Sequence, residues 1–326
     1  MNRDLKLLLS QNTGPLLALG VFAVMFGLFL HEHPRQISVN VLTTASNKAV
    51  VLALMAMAQT VPVLTRGLDL SVGSVMTMAA CISSVTVNGS PGRVAFGIAL
   101  VLAAGLAAGA INGVIVVVGR IQPIIATLAT GAVYFGIALL LRPTPGGDIS
   151  EGLSNALTYA TFDVPTTFLL LVAVLLFVWL PFRRSVLGRG CYAAGSAEGA
   201  AYMSGVTVGR SKIAAYMFAG FLSAIAGLLL SLVALSGEAS APQSGAYTLN
   251  SIAAVVVGGT SLFGGSGGMV GSVIGAFVLR TIGDLLFVFD APPLWQPIFE
   301  GIILLAAVSL GASRVLRIKN RLELFT

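Results

Sequence analysis

This chain is short of charge. Of its 326 residues only 9% are Asp, Glu, Lys or Arg, against roughly 25% in ordinary soluble domains. Mean hydropathy is +0.96, so too little polar side chain remains to cover a soluble globule of this size. A cytosolic enzyme, a disordered scaffold and a nucleic-acid binder are excluded on that ground. The sequence pI is about 9.7, yet 18 Lys+Arg against 12 Asp+Glu, dispersed along the chain, form no nucleic-acid stripe. Lysine is scarce: Lys6, Lys48, Lys212 and Lys319 are all there are, and none closes a G-x-x-x-x-G-K-[ST] loop. Any ATP used must therefore be bound by another polypeptide. Cys81 lies in an apolar run and Cys191 in a basic loop, so no disulfide framework is implied. His31 and His33 lack partners at metal-ligand spacing, and no nucleophile–base set is evident. No catalytic residue, metal or cofactor is assigned to the chain.

Apolar runs dominate. A hydrocarbon core about 30 Å thick needs roughly 20 apolar residues per helix. Ten crossings are predicted: Gly14–Leu30, Val50–Leu64, Val72–Val87, Val94–Val118, Ile121–Leu141, Val164–Pro181, Ile213–Leu235, Leu249–Leu262, Gly268–Phe289 and Leu294–Ala312. Leu249–Leu262 is short and ends among glycines, which leaves a full span or a re-entrant segment open. The first run follows Arg3 and Lys6 without a small-residue cleavage site, and reads as a retained anchor. With ten crossings and a cytoplasmic N-terminus, thirteen of the eighteen cations fall inside: Arg3, Lys6, Arg66, Arg120, Arg183, Arg184, Arg189, Arg210, Lys212, Arg314, Arg317, Lys319 and Arg321. Arg35, Lys48, Arg93 and Arg142 fall outside and Arg280 within a span. This bias predicts an all-α, polytopic membrane protein with both termini cytoplasmic, one permease domain over residues 1–326.

Two patterns bear on packing. Gly105-Leu106-Ala107-Ala108-Gly109 is a small-xxx-small pattern that lets helices approach closely in lipid. Val72-Gly73-Ser74-Val75 recurs as Val270-Gly271-Ser272-Val273, and transporters often carry such repeats beside interrupted helices.

The longest inside connection, 183–212, is the candidate coupling loop. Its centre runs Gly195, Ser196, Ala197, Glu198, Gly199, Ala200, Ala201, Tyr202, Met203, Ser204, Gly205. Ser196 is placed to cap a helix start and Gly205 to end it, giving about two turns with Ala197, Ala200, Ala201 and Ser204 on a small, smooth face. So short a helix is not stable alone in water and needs something to lie against.

With these residues in view, the sequence resembles the permease subunit of ATP-binding-cassette importers for monosaccharides of the ribose, xylose and galactose type, from about Val50 to Val308. Thr65-Arg66-Gly67-Leu68-Asp69-Leu70-Ser71-Val72-Gly73-Ser74 is like the family's G-[IL]-D-L-S-V-G. Asn112-Gly113 and Ile121-Gln122-Pro123-Ile124-Ile125-Ala126-Thr127-Leu128 are like its N-G and I-Q-P-F-I-A-T-L. The 195–205 stretch is like its coupling segment, and the run Ile252 to Gly265 matches a fourth motif. The chain departs from the family at Thr248 (usually Glu), at Ser266 and Gly268 (often basic) and at Glu300 (usually Lys). The resemblance implies a second permease subunit, homo- or heterodimeric, and a cytoplasmic ATP-binding subunit that holds ATP and Mg. It further implies a periplasmic sugar-binding protein and a place in the bacterial inner membrane.

Polar residues within spans are candidates for a sugar path: Gln59, Asn112, Gln122 and Asn250. Asp69 and Arg66 lie at the inside end of a span, where Asp69 is a candidate either to cap the following helix or to sit near the coupling surface. Arg280 and Asp284 are four apart on one face and positioned to pair, with Glu300 a third member, which leaves open a pair that holds two helices together or a gate or substrate-path role. Each charge costs about +2.5 to +3.5 kcal/mol at mid-span, so this cluster must face protein or water. A titrating cluster also supports a different reading, an ion-coupled secondary transporter. A passive channel is a third reading, and an intramembrane enzyme has no support.

Overall fold

The computed structural model describes residues 13–32 and 38–303, with 305, 306 and 309. The candidate cations Arg3, Lys6, Arg35, Arg314, Arg317, Lys319 and Arg321, together with His33, lie outside the described residues. The elements are α1 (Thr13–Glu32), α2 (Val39–Leu64), α3 (Val72–Thr86), α4 (Pro91–Val117), α5 (Pro123–Leu141) and α6 (Glu151–Thr158). A hairpin of two-residue strands, β1 (Ala160–Thr161) with β2 (Val164–Pro165), precedes α7 (Thr166–Arg184). Then come α8 (Val186–Ser196), α9 (Glu198–Met203), α10 (Val208–Ala234), α11 (Ala241–Val257) and α12 (Met269–Val288). A 3-10 turn at Pro293–Trp295 leads into α13 (296–303). The chain is an all-helical polytopic membrane protein.

Among the described residues, seven helices are long and apolar enough to cross a bilayer. The 15-residue α3 and the 17-residue α11 occupy two of the remaining predicted positions; α13 lies in the first part of the third, Leu294–Ala312, whose later residues lie mostly outside the described residues. Boundaries differ where the chain carries explicit start signals. Ser38 accepts from the Val41 amide to start α2 well before Val50, which puts Lys48 inside a helix and not in the outer connection that the apolar pattern predicts. Ser90 caps α4 ahead of Pro91 at its first turn. The predicted span Leu249–Leu262 is corrected: the helix runs from Ala241 to Val257 and residues 258–268 are loop. The apolar window misses its first half because Gln243, Ser244 and Thr248 are polar, and left-handed turns at Gly259, Gly264, Gly265 and Gly267 end it early.

From Ala49 to Leu64 every residue of α2 is buried, so α2 forms the axis of the bundle, with α10, α12, α11 and α7 around it. The small-xxx-small expectation on α4 holds. A Cβ on Gly105, Gly109 or Gly113 would collide with Ala224, Tyr216 and Ile213 of α10, respectively. The repeated V-G-S-V also acquires a physical meaning. Both copies open a helix that presses on α11 or the glycine at its end: a Cβ on Gly73 would meet Ser244 and Thr248, and one on Gly271 would meet Gly258. Buried hydroxyls add cross-links, such as Thr60 to Ser272 at 2.8 Å and Ser231 to Ser83 at 2.8 Å. Each contributes about 0.6 kcal/mol on average in such bundles. The outer faces of α1 and α5 leave Leu17, Val24, Ile125, Leu128 and Leu140 exposed, the surface a lipid phase would cover.

Among the described residues, Arg66, Arg120, Arg183, Arg184, Arg189, Arg210 and Lys212 lie at one end of the bundle, Arg93 and Arg142 at the other. We call these the basic end and the opposite end.

Candidate coupling knot and polar cavity

At the basic end three loops meet. Arg66 follows the C-terminus of α2 with φ 65°, a left-handed conformation costly for a residue with a Cβ. That turn points its guanidinium across the molecule: Nε donates to the Gly195 carbonyl at 2.6 Å and to the Phe263 carbonyl at 3.0 Å. A second nitrogen donates to the Ser196 carbonyl at 2.7 Å. The Gly265 amide donates to the Leu64 carbonyl at 3.0 Å. Gly195 has no room for a side chain, because a Cβ would collide with the Leu64 carbonyl and come within 2.6 Å of the Gly265 nitrogen. Tyr192 donates to the Gly267 carbonyl at 3.1 Å. The connection after α2, the end of α8 and the loop after α11 are thus locked into one knot.

Beyond the knot the chain turns into α9. The expected two-turn helix is six residues long, and Ser196 does not cap it. Ser196 closes α8, its hydroxyl donating to the Tyr192 carbonyl at 2.9 Å, while Ala197 takes the cap position without a side-chain bond. Gly205 ends the segment as expected, with φ +79°. Of the expected smooth face, Ala201 is buried against Ala194 and Val208, whereas Ala197, Ala200 and Ser204 are exposed. Tyr202 and Met203 are 73% and 86% exposed. Glu198 turns back to Lys212, with both carboxylate oxygens 2.8 Å from Nζ. The role of Arg66 in this knot is not readable from the letters, because no local signal announces bonds to carbonyls 129 and 197 residues away.

One helical turn or so into the bundle lies a sealed polar network. Asp69, 1% exposed, accepts from the Ser71 amide at 2.9 Å and the Ser71 hydroxyl at 2.6 Å. This is an Asx-turn contact immediately before α3. Asn112 donates to the Ser71 hydroxyl at 2.7 Å, and its carbonyl oxygen accepts from the Tyr134 hydroxyl at 3.2 Å. With its amide oriented to satisfy both partners, Gln59 donates to the Asp69 carbonyl at 2.9 Å and accepts from the Asp69 amide at 3.2 Å. Gln59 and Asn112 are fully buried and engaged in holding the α2–α3 connection to α4 and α5. Gln122 is exposed at the start of α5.

Asn250 is the path candidate that reaches a polar cavity. It lines a pocket of about 160 Å³ with Lys48, Gln243, Tyr247, Arg280 and Glu300. Lys48 lies nine residues into α2, Asn250 nine into α11, and Arg280 eight before the end of α12. At about 1.5 Å per residue each is about 12–14 Å below the opposite end. The expected Arg280–Asp284 pair is corrected: the ion pairs among the described residues are His31–Glu32 and Lys212–Glu198. Glu300 instead accepts from Gln296 at 2.7 Å, and the buried Nε of Arg280 has no hydrogen-bond partner among the described residues. Spacing by four allows a helical pair but does not force it.

A family profile described as "Branched-chain amino acid transport system / permease component" matches residues 41–308. The chain is 35% identical over 282 residues to the ribose import permease protein RbsC of Escherichia coli strain K12, covering 84% of this chain and 86% of the relative. It is 33% identical over 316 residues to RbsC of Bacillus subtilis strain 168, covering 93% and 94%. The autoinducer 2 import system permease protein LsrC of Enterobacter sp. strain 638 is 33% identical over 294 residues, covering 88% and 83%. No solved structure matches the chain. Apolar helices that span, a profile that covers most of the length and relatives matched nearly end to end converge on one assignment: the chain is a multi-pass inner-membrane protein and belongs to this family of transport-system permease components.

Proposed function

We propose that the chain is the membrane-spanning permease subunit of an ATP-binding-cassette importer for a monosaccharide, with ATP hydrolysed by a separate subunit at the basic end. The observation that carries this reading is the knot. A partner pressing on α8 and α9 cannot move them without moving Gly195 and Ser196, and these are bonded through Arg66 to the end of α2 and the loop after α11. Those two helices, with α12, carry Lys48, Asn250 and Arg280 around the cavity at the other end. Closure of the ATP-binding subunits would thereby reach the solute path as a rigid-body shift of packed helices. Both termini and the 183–212 segment are assigned to the cytoplasm on the cation bias. The dimeric arrangement, the second permease subunit and the periplasmic sugar-binding protein follow from the resemblance to importer permeases. Ribose, named by the relatives, is the first substrate to try, and xylose and galactose are the next.

Reconstitution tests this. The chain, co-purified with its ATP-binding subunit and supplied with binding protein, is expected to take up labelled ribose only with ATP. Replacing Arg66 with Ala is expected to leave ATP hydrolysis while abolishing most uptake. Uptake that persists without ATP and collapses with a proton or sodium gradient would overturn the reading. The charged set Lys48, Arg280, Asp284 and Glu300 favours that ion-coupled alternative as the second choice.

A further inference from the structure

We propose that the cavity between α2, α11, α12 and α13 is a transient binding subsite for the transported solute within a single permease chain, and that it recognises a small polyhydroxylated ring. The inference rests on the importer reading and deepens it by naming the residues that meet the solute.

The cavity's chemistry carries the argument. Lining it are donors from Lys48 and Arg280, a carboxylate from Glu300, and two amides, Gln243 and Asn250, that both donate and accept. A sugar offers hydroxyls that each donate once and accept twice, so a wall mixing cations, a carboxylate and amides matches it better than a wall of one sign. Tyr247 adds an aromatic body with a polar tip, a surface suited to the apolar C–H face of a sugar ring. The volume of about 160 Å³ is close to that of a cavity of roughly 150 Å³ that takes one benzene molecule. That is the size class of one small ring.

Its energetics point the same way. Buried polar atoms are normally hydrogen-bonded, and an orphan demands an explanation. Among the described residues, four buried side-chain polar atoms lack a partner: the hydroxyls of Ser211, Tyr216 and Ser223, and the Nε of Arg280. Of these only Arg280 is ionised, and only Arg280 lines this cavity. Asp284 lies one helical turn away and Glu300 lines the same cavity, yet Glu300 is held by Gln296. Neither acid forms an ion pair with the arginine among the described residues. An intramembrane arginine left in this state marks a solute pathway more readily than a structural pair. The incomplete satisfaction also suits transport: the solute must gain enough contacts to enter and few enough to leave.

The test uses the whole transporter, with its ATP-binding subunit and binding protein, in proteoliposomes, and compares uptake of labelled ribose with uptake of its 2-deoxy and 3-deoxy analogues. Asn250→Ala, Gln243→Ala and Arg280→Gln are each set against wild type. The expected result is that uptake of ribose by Asn250→Ala or Gln243→Ala falls about threefold to tenfold, the effect of one lost hydrogen bond. The same variant's discrimination against one deoxy analogue should shrink by a similar factor, while ATP hydrolysis stimulated by binding protein is kept. A merely structural residue would lower uptake of all three solutes equally, and that outcome overturns the proposal. So does unchanged ribose uptake in both amide variants. Because Arg280→Gln also alters packing inside the bundle, the decision falls to Asn250 and Gln243, for which no side-chain hydrogen bond is seen among the described residues. Failure of the wild-type complex to take up any of the sugars with ATP would instead reject the importer reading.

Discussion

Two polar regions lie inside this apolar bundle, and they are built on opposite terms. Around Asp69 most amides and hydroxyls find partners: Gln59 clasps the Asp69 backbone, Asn112 bridges Ser71 and Tyr134, and Thr127 accepts from the Leu70 amide at 2.9 Å, the Tyr216 hydroxyl beside Gly67 being the exception. Around Arg280 the charges share a cavity without ion pairs among the described residues, and a buried guanidinium nitrogen has no partner there. A closed network rigidifies, whereas an open one keeps binding capacity in reserve. The comparison teaches that polarity within a membrane helix does not by itself mark a solute path. Under the proposal above, it is marked by polarity left unspent beside a cavity.

The contrast can be broken by substitution. The largest effect is expected at the knot below the sealed network. Gly195→Val places a branched side chain on the Leu64 carbonyl and the Gly265 amide, and is expected to abolish ATP-driven uptake or prevent assembly altogether. Gel filtration followed by uptake measurement tells these apart, and wild-type transport by this variant would show that the knot yields freely. Next comes a matched pair. Asn112→Ala removes two buried hydrogen bonds, to the Ser71 and Tyr134 hydroxyls, which keep Asp69 and the Ala108 carbonyl as partners, so each lost bond costs about 0.5–1.5 kcal/mol and lowers the unfolding temperature in detergent. Asn250→Ala is expected to change that temperature little, within the roughly 0.5 kcal/mol typical of sites without such features. Equal destabilisation by the two would erase the distinction between sealed and open regions.

Smaller effects sharpen the picture of the basic end. Glu198→Gln removes the ion pair to Lys212, in which the glutamate is 55% and the lysine 21% exposed, and should cost about 0–1 kcal/mol. A large loss of ATP coupling without loss of stability would show that Glu198 touches a partner and not only Lys212. Cys191 gives the smallest signal. Burial pushes its thiol up to about 12, so at neutral pH it carries almost no reactive thiolate. In a Cys81→Ala background, maleimide labelling is expected to be slow in the native protein and fast after unfolding. Because the folded thiol keeps its proton to higher pH than the unfolded one, stability contributed by this group is lost as pH rises from about 8.5 towards the folded value.

Particular elements show how much was legible beforehand. Hydropathy locates nine helical positions and the start of a tenth, yet misjudges α11 because its first half is lined with polar residues that face α3 and the cavity. The short helix after Gly195 was legible from Gly205, but its start was assigned to Ser196, whose hydroxyl bonds the Tyr192 carbonyl within α8. An apolar run that begins at Val50 leaves Lys48 in a connection, whereas the cap at Ser38 sets the true start of α2. The four path candidates were indistinguishable as letters. Structure sorted them into two sealed, one exposed and one lining a cavity.

By itself the sequence determined that this protein crosses a membrane many times, because apolar length is a property of composition read one residue at a time. It also pointed to the close approach at Gly105 and Gly109, although a missing side chain alone does not fix a contact: a Cβ on Gly20, Gly27 or Gly136 would meet nothing within 4 Å. Only the tertiary structure decided which polar groups are spent and which are free. Asn112 meets Ser71 across 41 residues and Arg66 meets Gly195 across 129, and satisfaction of a hydrogen bond is a property of the pair, never of either residue alone.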